Sequence, residues 1–506
     1  MGHGTHALEE IGRLATAGAT RLHIALRCEP PSQPLSAIVV PSEPAQAGSE
    51  PRLSPSPRGR VSPFGRPGGT DVILSKPSSR AWVWGLFALI LVVAPLLFTS
   101  NFSRSMLSQM GVAIIACLSF NMLLGQGGML SFGHAVYTGL ATFVAIHALN
   151  RIGAGWALPV SLVPLVGGLA GMFFALLLGF VTTRRAGTTF AMITLGIGEL
   201  VFAMALMIPE FFGGEGGVSA NRVAGKPVFG ITFGPPIQVY YLLAVYTFVC
   251  TAAMYAFTHT PLGRMLNAVR DNAERVAFVG YNTQRVRYFA FVIAGFFAGV
   301  AGGMYALNFE IATAEVVGAG RSGAYLLFTF LGGATIFFGP IIGAVLMVVA
   351  TVLLSEFTKA WLLYLGLVFL FMVMYAPGGI ASLIMMNVRV AAYGKLRRLL
   401  GWYCGLGVTA LVMLSGAAAM IEMIYHMQLN AAFGSKLVFM QLTLDAASMA
   451  SWAGAALITL VGVVAFELTR RRFARHWGAV QGEIAQHVRT RETIEGGVAI
   501  GAEATA

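Results

Sequence analysis

Residues 261–307 read PLGRMLNAVRDNAERVAFVGYNTQRVRYFAFVIAGFFAGVAGGMYAL, a charged segment that runs directly into a membrane-length apolar one. Five formal charges fall within residues 261–280. Leu262, Leu266, Val269, Ala273 and Val276 recur at alternating spacings of four and three, which aligns them on one face of a helix. Arg264, Asn267, Asp271 and Glu274 lie largely away from that face. Thr260 is expected to cap the first free amides, Pro261 suits the first turn, and Gly280 can take the left-handed conformation that stops the helix. Asn282 or Thr283 is then expected to cap a second helix. In that helix Gly295, Gly299 and Gly303 share a face at four-residue spacing, where the backbones of two membrane helices can approach closely. Gly167 and Gly171 repeat the pattern.

The surrounding chain is committed to lipid. Of its 506 residues 57% are hydrophobic and 11% charged, with a mean hydropathy of +0.75, which excludes an ordinary soluble domain. A span needs about 20 mostly apolar residues. The segments that qualify are 82–98, 106–125, 129–149, 156–180, 188–208, 239–258, 287–307, 322–337, 339–356, 360–377, 401–425 and 447–466. The expected fold is therefore an all-α polytopic membrane protein, with a core of about ten helices over residues 81–385 and about two extra helices in 386–470. With the first end inside, the outer loops hold only Arg104, Arg151, Arg222, Lys226, Arg321, Lys359 and Lys436 of the 33 Lys and Arg. The positive-inside rule then places both termini, and the charged segment 259–286, in the cytoplasm. The net charge of +12 reflects this placement, and no nucleic-acid partner is expected.

Eleven prolines precede Trp82, among Ser, Gly and Arg, so residues 1–80 cannot bury a core and are expected to form a disordered tail. No signal peptide is expected there. The same composition leaves open initiation nearer residue 61 or 72, which a peptide from residues 30 to 60 in the native protein would exclude. Residues 471–506 form a basic cytoplasmic tail suited to anionic lipid. Cys28, Cys117, Cys250 and Cys404 show no metal-ligand spacing. There is no GxxxxGK[ST] loop and no HExxH or GxSxG motif, so any use of ATP falls to another polypeptide and no enzymatic constellation is evident.

Four stretches in order, SFGHAVYTGL (131–140), TLGIGELV (194–201), FFGGEGGVS (211–219) and the long segment 261–307, resemble the permease subunits of bacterial ABC importers for branched-chain amino acids. The resemblance extends over roughly residues 82–385. It implies an inner-membrane subunit that pairs with a second, related permease subunit. Two cytoplasmic ATPase subunits that use ATP and Mg would drive the pair, and an extracytoplasmic substrate-binding protein would feed it, with no cofactor on this chain. In that family the charged segment inserts into a groove of the ATPase. The resemblance thus assigns coupling to Gly263, Ala268, Arg270, Asp271, Asn272, Ala277 and Gly280. Its apolar face would pack on the motor and its charges would fix register. Leu, Ile and Val are the family's usual cargo, with urea, short amides or other amino acids as alternatives. A proton-coupled secondary transporter is the rival from another class. Such permeases end soon after a segment like MYAPGGIASLI, whereas this chain continues for about 120 residues.

Polar residues at membrane depth are the candidates for the substrate path. Gly128, Ser131, Gly133 and His134 form a glycine-broken stretch that can line a path or, in the case of His134, bond between helices. Glu199 lies about halfway along its span, five residues after Thr194. It can hold an ammonium group, relay a proton or bond an adjacent helix. Gly216 and Gly217 belong to an outer loop, glycine-rich around Glu215, that can expose amides to a carboxylate, contact a binding protein or serve as a flexible connector. LGGATIFFGPIIG (331–343) marks a second helix interruption.

Overall fold

A computed structural model describes residues 77–225, 232–429, 435–439 and 442–503. The expected tail to residue 76 and the outer-loop Lys226 lie outside the described residues. The helices are α1 (Pro77–Leu97), α2 (Asn101–Leu124), α3 (His134–Gly153), α4 (Val163–Thr182), α5 (Thr188–Met207) and α6 (Pro236–His259). Next come α7 (Pro261–Asp271), α8 (Ala273–Phe278), α9 (Thr283–Phe309), α10 (Ala319–Gly332) and α11 (Gly339–Val348). The chain continues through α12 (Trp361–Tyr375), α13 (Gly379–Ala392), α14 (Leu396–Leu429) and α15 (Met449–Glu503). Two small antiparallel ribbons complete it: β1 (Val218–Ser219) with β2 (Ile311–Ala312), and β3 (Lys436–Phe439) with β4 (Leu442–Asp445).

Among the described residues, seven helices are long and apolar enough to cross a membrane, or eight if α12 and α13, bent by 51°, form one broken span. The other predicted spans appear in altered form. Residues 82–98 and 339–356 become the shorter apolar helices Ala81–Leu97 and Gly339–Leu354, and 322–337 stops at Gly332. The span predicted over 129–149 begins only at His134, because residues 125–133 form an irregular loop. α3 carries His134, Thr138, Thr142 and His147 and is buried along most of its length, so its polar groups meet protein instead of lipid.

The core is built around α9, which packs on α2, α3 and α4. Its apolar window is 83% buried and that of α2 78%, against 11% for α14 and for α15, which places α2 and α9 centrally and leaves the last two helices mostly uncovered. The two glycine patterns meet each other. A Cβ on Gly167 would lie 2.6 Å from Gly299 O, and one on Gly299 would lie 2.9 Å from Gly171 Cα, so the α4 and α9 backbones touch directly. On the opposite flank of α4, Leu169, Phe173 and Leu177 are exposed, as suits a lipid-facing surface. Beneath the seam, Tyr137, Phe190 and Phe291 pack edge to face, with Phe291 5.2 Å from Tyr137 and 6.0 Å from Phe190.

α14 and α15 form a hairpin closed by β3 and β4. Glu422 of α14 accepts hydrogen bonds from Thr358 and from Tyr364, and the Tyr403 hydroxyl donates to Asn387 at 2.7 Å. Lys395 pairs with Glu483. The predicted span 447–466 thus begins a 55-residue helix.

Candidate functional site

The charged segment forms two helices, not one. Thr260 caps α7, its hydroxyl accepting from Gly263 N at 3.2 Å. At Asn272 the backbone leaves the helical region, with φ −160°, and the Asn272 side chain starts α8 by accepting from Arg275 N at 2.9 Å. Gly280, at φ +96°, ends the segment, and Asn282 caps α9 through Arg285 N at 3.1 Å.

The apolar face of this segment turns inward, contrary to the expectation that it packs on a motor. Leu266, Val269 and Val276 are buried against this chain's own core. Gly263 is buried where α6 turns into α7, and Ala268 packs on the core from the side. Phe278, 89% exposed, and Val279, 74% exposed, point outward, with Tyr281 beside them. Ala277 and Gly280 are exposed on the same tip, and Asp271 and Asn272 are exposed at the break. The sequence reading missed Phe278, Val279 and Tyr281. Their only signal is an apolar cluster placed off the periodic face at the helix end.

Arg270 links this segment to the loop 125–133. Its guanidinium donates to Gly125 O and pairs with Asp271 at 3.0 Å. Gly128 adopts φ +63° under the Arg270 stem, and a Cβ there would lie 2.9 Å from Arg270 Cγ. The far end of the loop is held by α5 and α10. Phe132 N donates to Thr194 Oγ1 at 3.1 Å, Gly133 presses on the Thr194 carbonyl, and Ala135 N donates to Ser322 Oγ at 2.9 Å.

His134 is fully buried and does not line the cavity beside Glu199. Its Nε2 lies 2.9 Å from Ser119 Oγ, and that hydroxyl gives its own proton to Ala294 O at 2.8 Å. The imidazole must therefore donate, which fixes the Nε2–H tautomer. The ring bridges α3 to α2 and, through Ser119, to α9. Ser131 is also fully buried, its hydroxyl without a partner among the described residues.

Glu199 is separated from that cluster. It lies just past the middle of α5 and lines an open cavity of about 620 Å³ together with Phe202, Tyr305, Glu315, Arg321 and Met347. The segment after α9 folds back before α10 begins, so the first residues of α10 reach this cavity. Arg321 stands with its guanidinium 4.9 Å from the centre of the Tyr305 ring. A smaller cavity of about 150 Å³, reaching Gln109 of α2, shares Tyr305 and Arg321 as a wall.

The glycine-rich loop after α5 is anchored on both sides. β1 pairs with β2 beyond the end of α9, Arg222 N donates to Glu310 Oε1 at 2.8 Å, and the Arg222 guanidinium reaches Leu307 O at 3.1 Å. Gly217 is pressed against the Ala312 carbonyl, while Gly216 has open space beside it.

A bundle of apolar helices with charged groups around a cavity, and a charged two-helix segment at one end, defines a multi-pass membrane transport subunit. Residues 103–377 match the family described as the branched-chain amino acid transport system permease component. The chain belongs to that family. It is 27% identical to the high-affinity branched-chain amino acid transport system permease protein LivM of Salmonella typhimurium over 313 residues, which cover 58% of this chain and 73% of that protein. It is equally similar to LivM of Escherichia coli K12, at 27% over 315 residues with the same coverage. No solved structure matches the chain.

Proposed function

We propose that this chain is the membrane-spanning permease subunit of an ATP-driven importer of branched-chain amino acids in the bacterial inner membrane, with both termini in the cytoplasm. It forms its pathway with a second, related permease subunit. Two cytoplasmic ATPase subunits hydrolyse ATP with Mg, and an extracytoplasmic binding protein delivers the substrate. Both curated relatives are named as branched-chain amino acid permeases, which favours leucine, isoleucine or valine over urea, short amides or other amino acids.

The observation that carries the reading is the exposed tip Phe278, Val279 and Tyr281, on a segment whose other face is packed into the membrane domain. Large apolar side chains in this setting fit the groove of a soluble motor. The test is uptake of labelled leucine by proteoliposomes holding the full set of subunits, with and without internal ATP. Uptake is expected to require ATP, and Phe278→Ser with Val279→Ser is expected to abolish it by releasing the ATPase subunits from the purified complex. Uptake by this chain alone without ATP would identify a proton-coupled transporter instead.

A further inference from the structure

We infer that the cavity beside Glu199 binds the zwitterionic head of an α-amino acid, with Arg321 taking the carboxylate and Glu199 and Glu315 taking the ammonium group. The inference rests on the importer reading above, and gives this chain a substrate-recognising site of its own. At about 620 Å³ the cavity falls within the roughly 300–1,000 Å³ of small-molecule sites.

Its charges are of both signs and, although Arg321 feels the charge of Glu315, they are not locked into close ion pairs. Among the described residues, no carboxylate lies within 4 Å of the Arg321 guanidinium, and neither Glu199 nor Glu315 forms an ion pair. A carboxylate midway along a membrane-length helix, as Glu199 is, needs a partner or water. An amino acid offers both complements in a single molecule.

The positive side is further built by the start of α10. Its cap residue Gly318 and the residues Ala319 and Gly320 line the cavity, and the first amides of a helix have no acceptor within it. Gly318 N already donates to Glu315 O, which leaves the Ala319 and Gly320 amides as the ones without an acceptor in the helix. Arg321 is held ready by the Tyr305 ring at 4.9 Å. The remaining wall, from Phe202, Val316, Ala324 and Met347, is apolar and suits an aliphatic side chain. Urea or a short amide carries no full charge and would leave these three groups unmatched.

Glu199 is exposed on this chain although it lies mid-span. A carboxylate facing hydrocarbon is strongly disfavoured, so this flank meets protein. The second permease subunit would close the open side.

The test is equilibrium binding of labelled leucine to the assembled permease–ATPase complex without the binding protein. Saturable binding is expected, displaced by unlabelled leucine but not by 4-methylpentanoate, which lacks the ammonium group, or by 3-methylbutylamine, which lacks the carboxylate. Glu199→Gln and Arg321→Gln should each weaken binding at least about tenfold, as the loss of a charge-assisted contact does. Arg321→Lys should recover part of it. All three variants should co-purify with the ATPase subunits and elute at the size of the wild-type complex, which reports that they are folded and assembled. Unchanged affinity in both neutral variants, equal displacement by either half-molecule, or a wild-type complex that imports leucine yet binds none would overturn the inference and leave the importer reading standing. A wild-type complex without ATP-dependent uptake would overturn the importer reading itself.

Discussion

One hydroxyl, that of Ser119, accepts from the His134 imidazole and donates to the Ala294 carbonyl, so three helices meet at a single buried side chain. Ser119→Ala would leave both His134 Nε2–H and Ala294 O without that partner in a dry interior. The orphaned imidazole N–H costs about 1–3 kcal/mol, whereas Ala294 O keeps its bond within α9. The variant is expected to unfold at a lower temperature in detergent, while the molecules that remain folded import leucine normally. Lost uptake at unchanged stability would instead put His134 on the transport path. The sequence shows that His134 and Glu199 are polar groups in apolar runs, and that much was legible. It does not show that one is closed in by three helices and the other opens on a cavity, because both sets of neighbours are remote along the chain. Arg321 entered the reading only as an outer-loop charge. Its role depends on residues 310–318 folding back, signalled in sequence by no more than Gly318, Gly320 and Gly323 around a lone arginine.

The caps of the charged segment were readable at the level of the element, since Thr260, Gly280 and Asn282 act on amides within a few residues of themselves. The break at Asn272 was hidden by a periodicity that continues across it. The inward turn of the apolar face was hidden too, because periodicity identifies a face to be covered without saying what covers it. In the folded chain, α7 reaches α5 through the loop 125–133: Arg270 on Gly125 and Gly128 at one end, Phe132 on Thr194 at the other. Five residues beyond Thr194 stands Glu199. Gly128→Ala disturbs this connection twice, since φ +63° disfavours a side chain and the new Cβ meets Arg270. The assembled complex is expected to keep its basal ATP hydrolysis while leucine imported per ATP falls roughly tenfold, the size of an ordinary coupling free energy. Transport and hydrolysis measured on the same proteoliposomes decide it; a parallel fall in both would mean simple misfolding.

On the scale of the whole molecule, α14 and α15 stand apart energetically from the helices before them. Their apolar surfaces are largely uncovered, and their ties to the preceding helices are the polar contacts of Glu422 and Tyr403 and one small apolar cluster of Val390 with Leu399, Val480 and Ile484. A chain ending after Gly394 is expected to assemble and to keep ATP-driven leucine uptake within about twofold of the full chain, as for changes outside a core. Loss of assembly would show that the hairpin recruits a subunit. The central bundle has an uneven mechanical character of its own, which follows from the glycines between α4 and α9. A seam made of backbone has no rotamers to exchange and no second set of grooves to fall into, so these two helices can only travel together. Any alternation of access must then slip elsewhere, along the flank of α5 on which the charged cavity already opens.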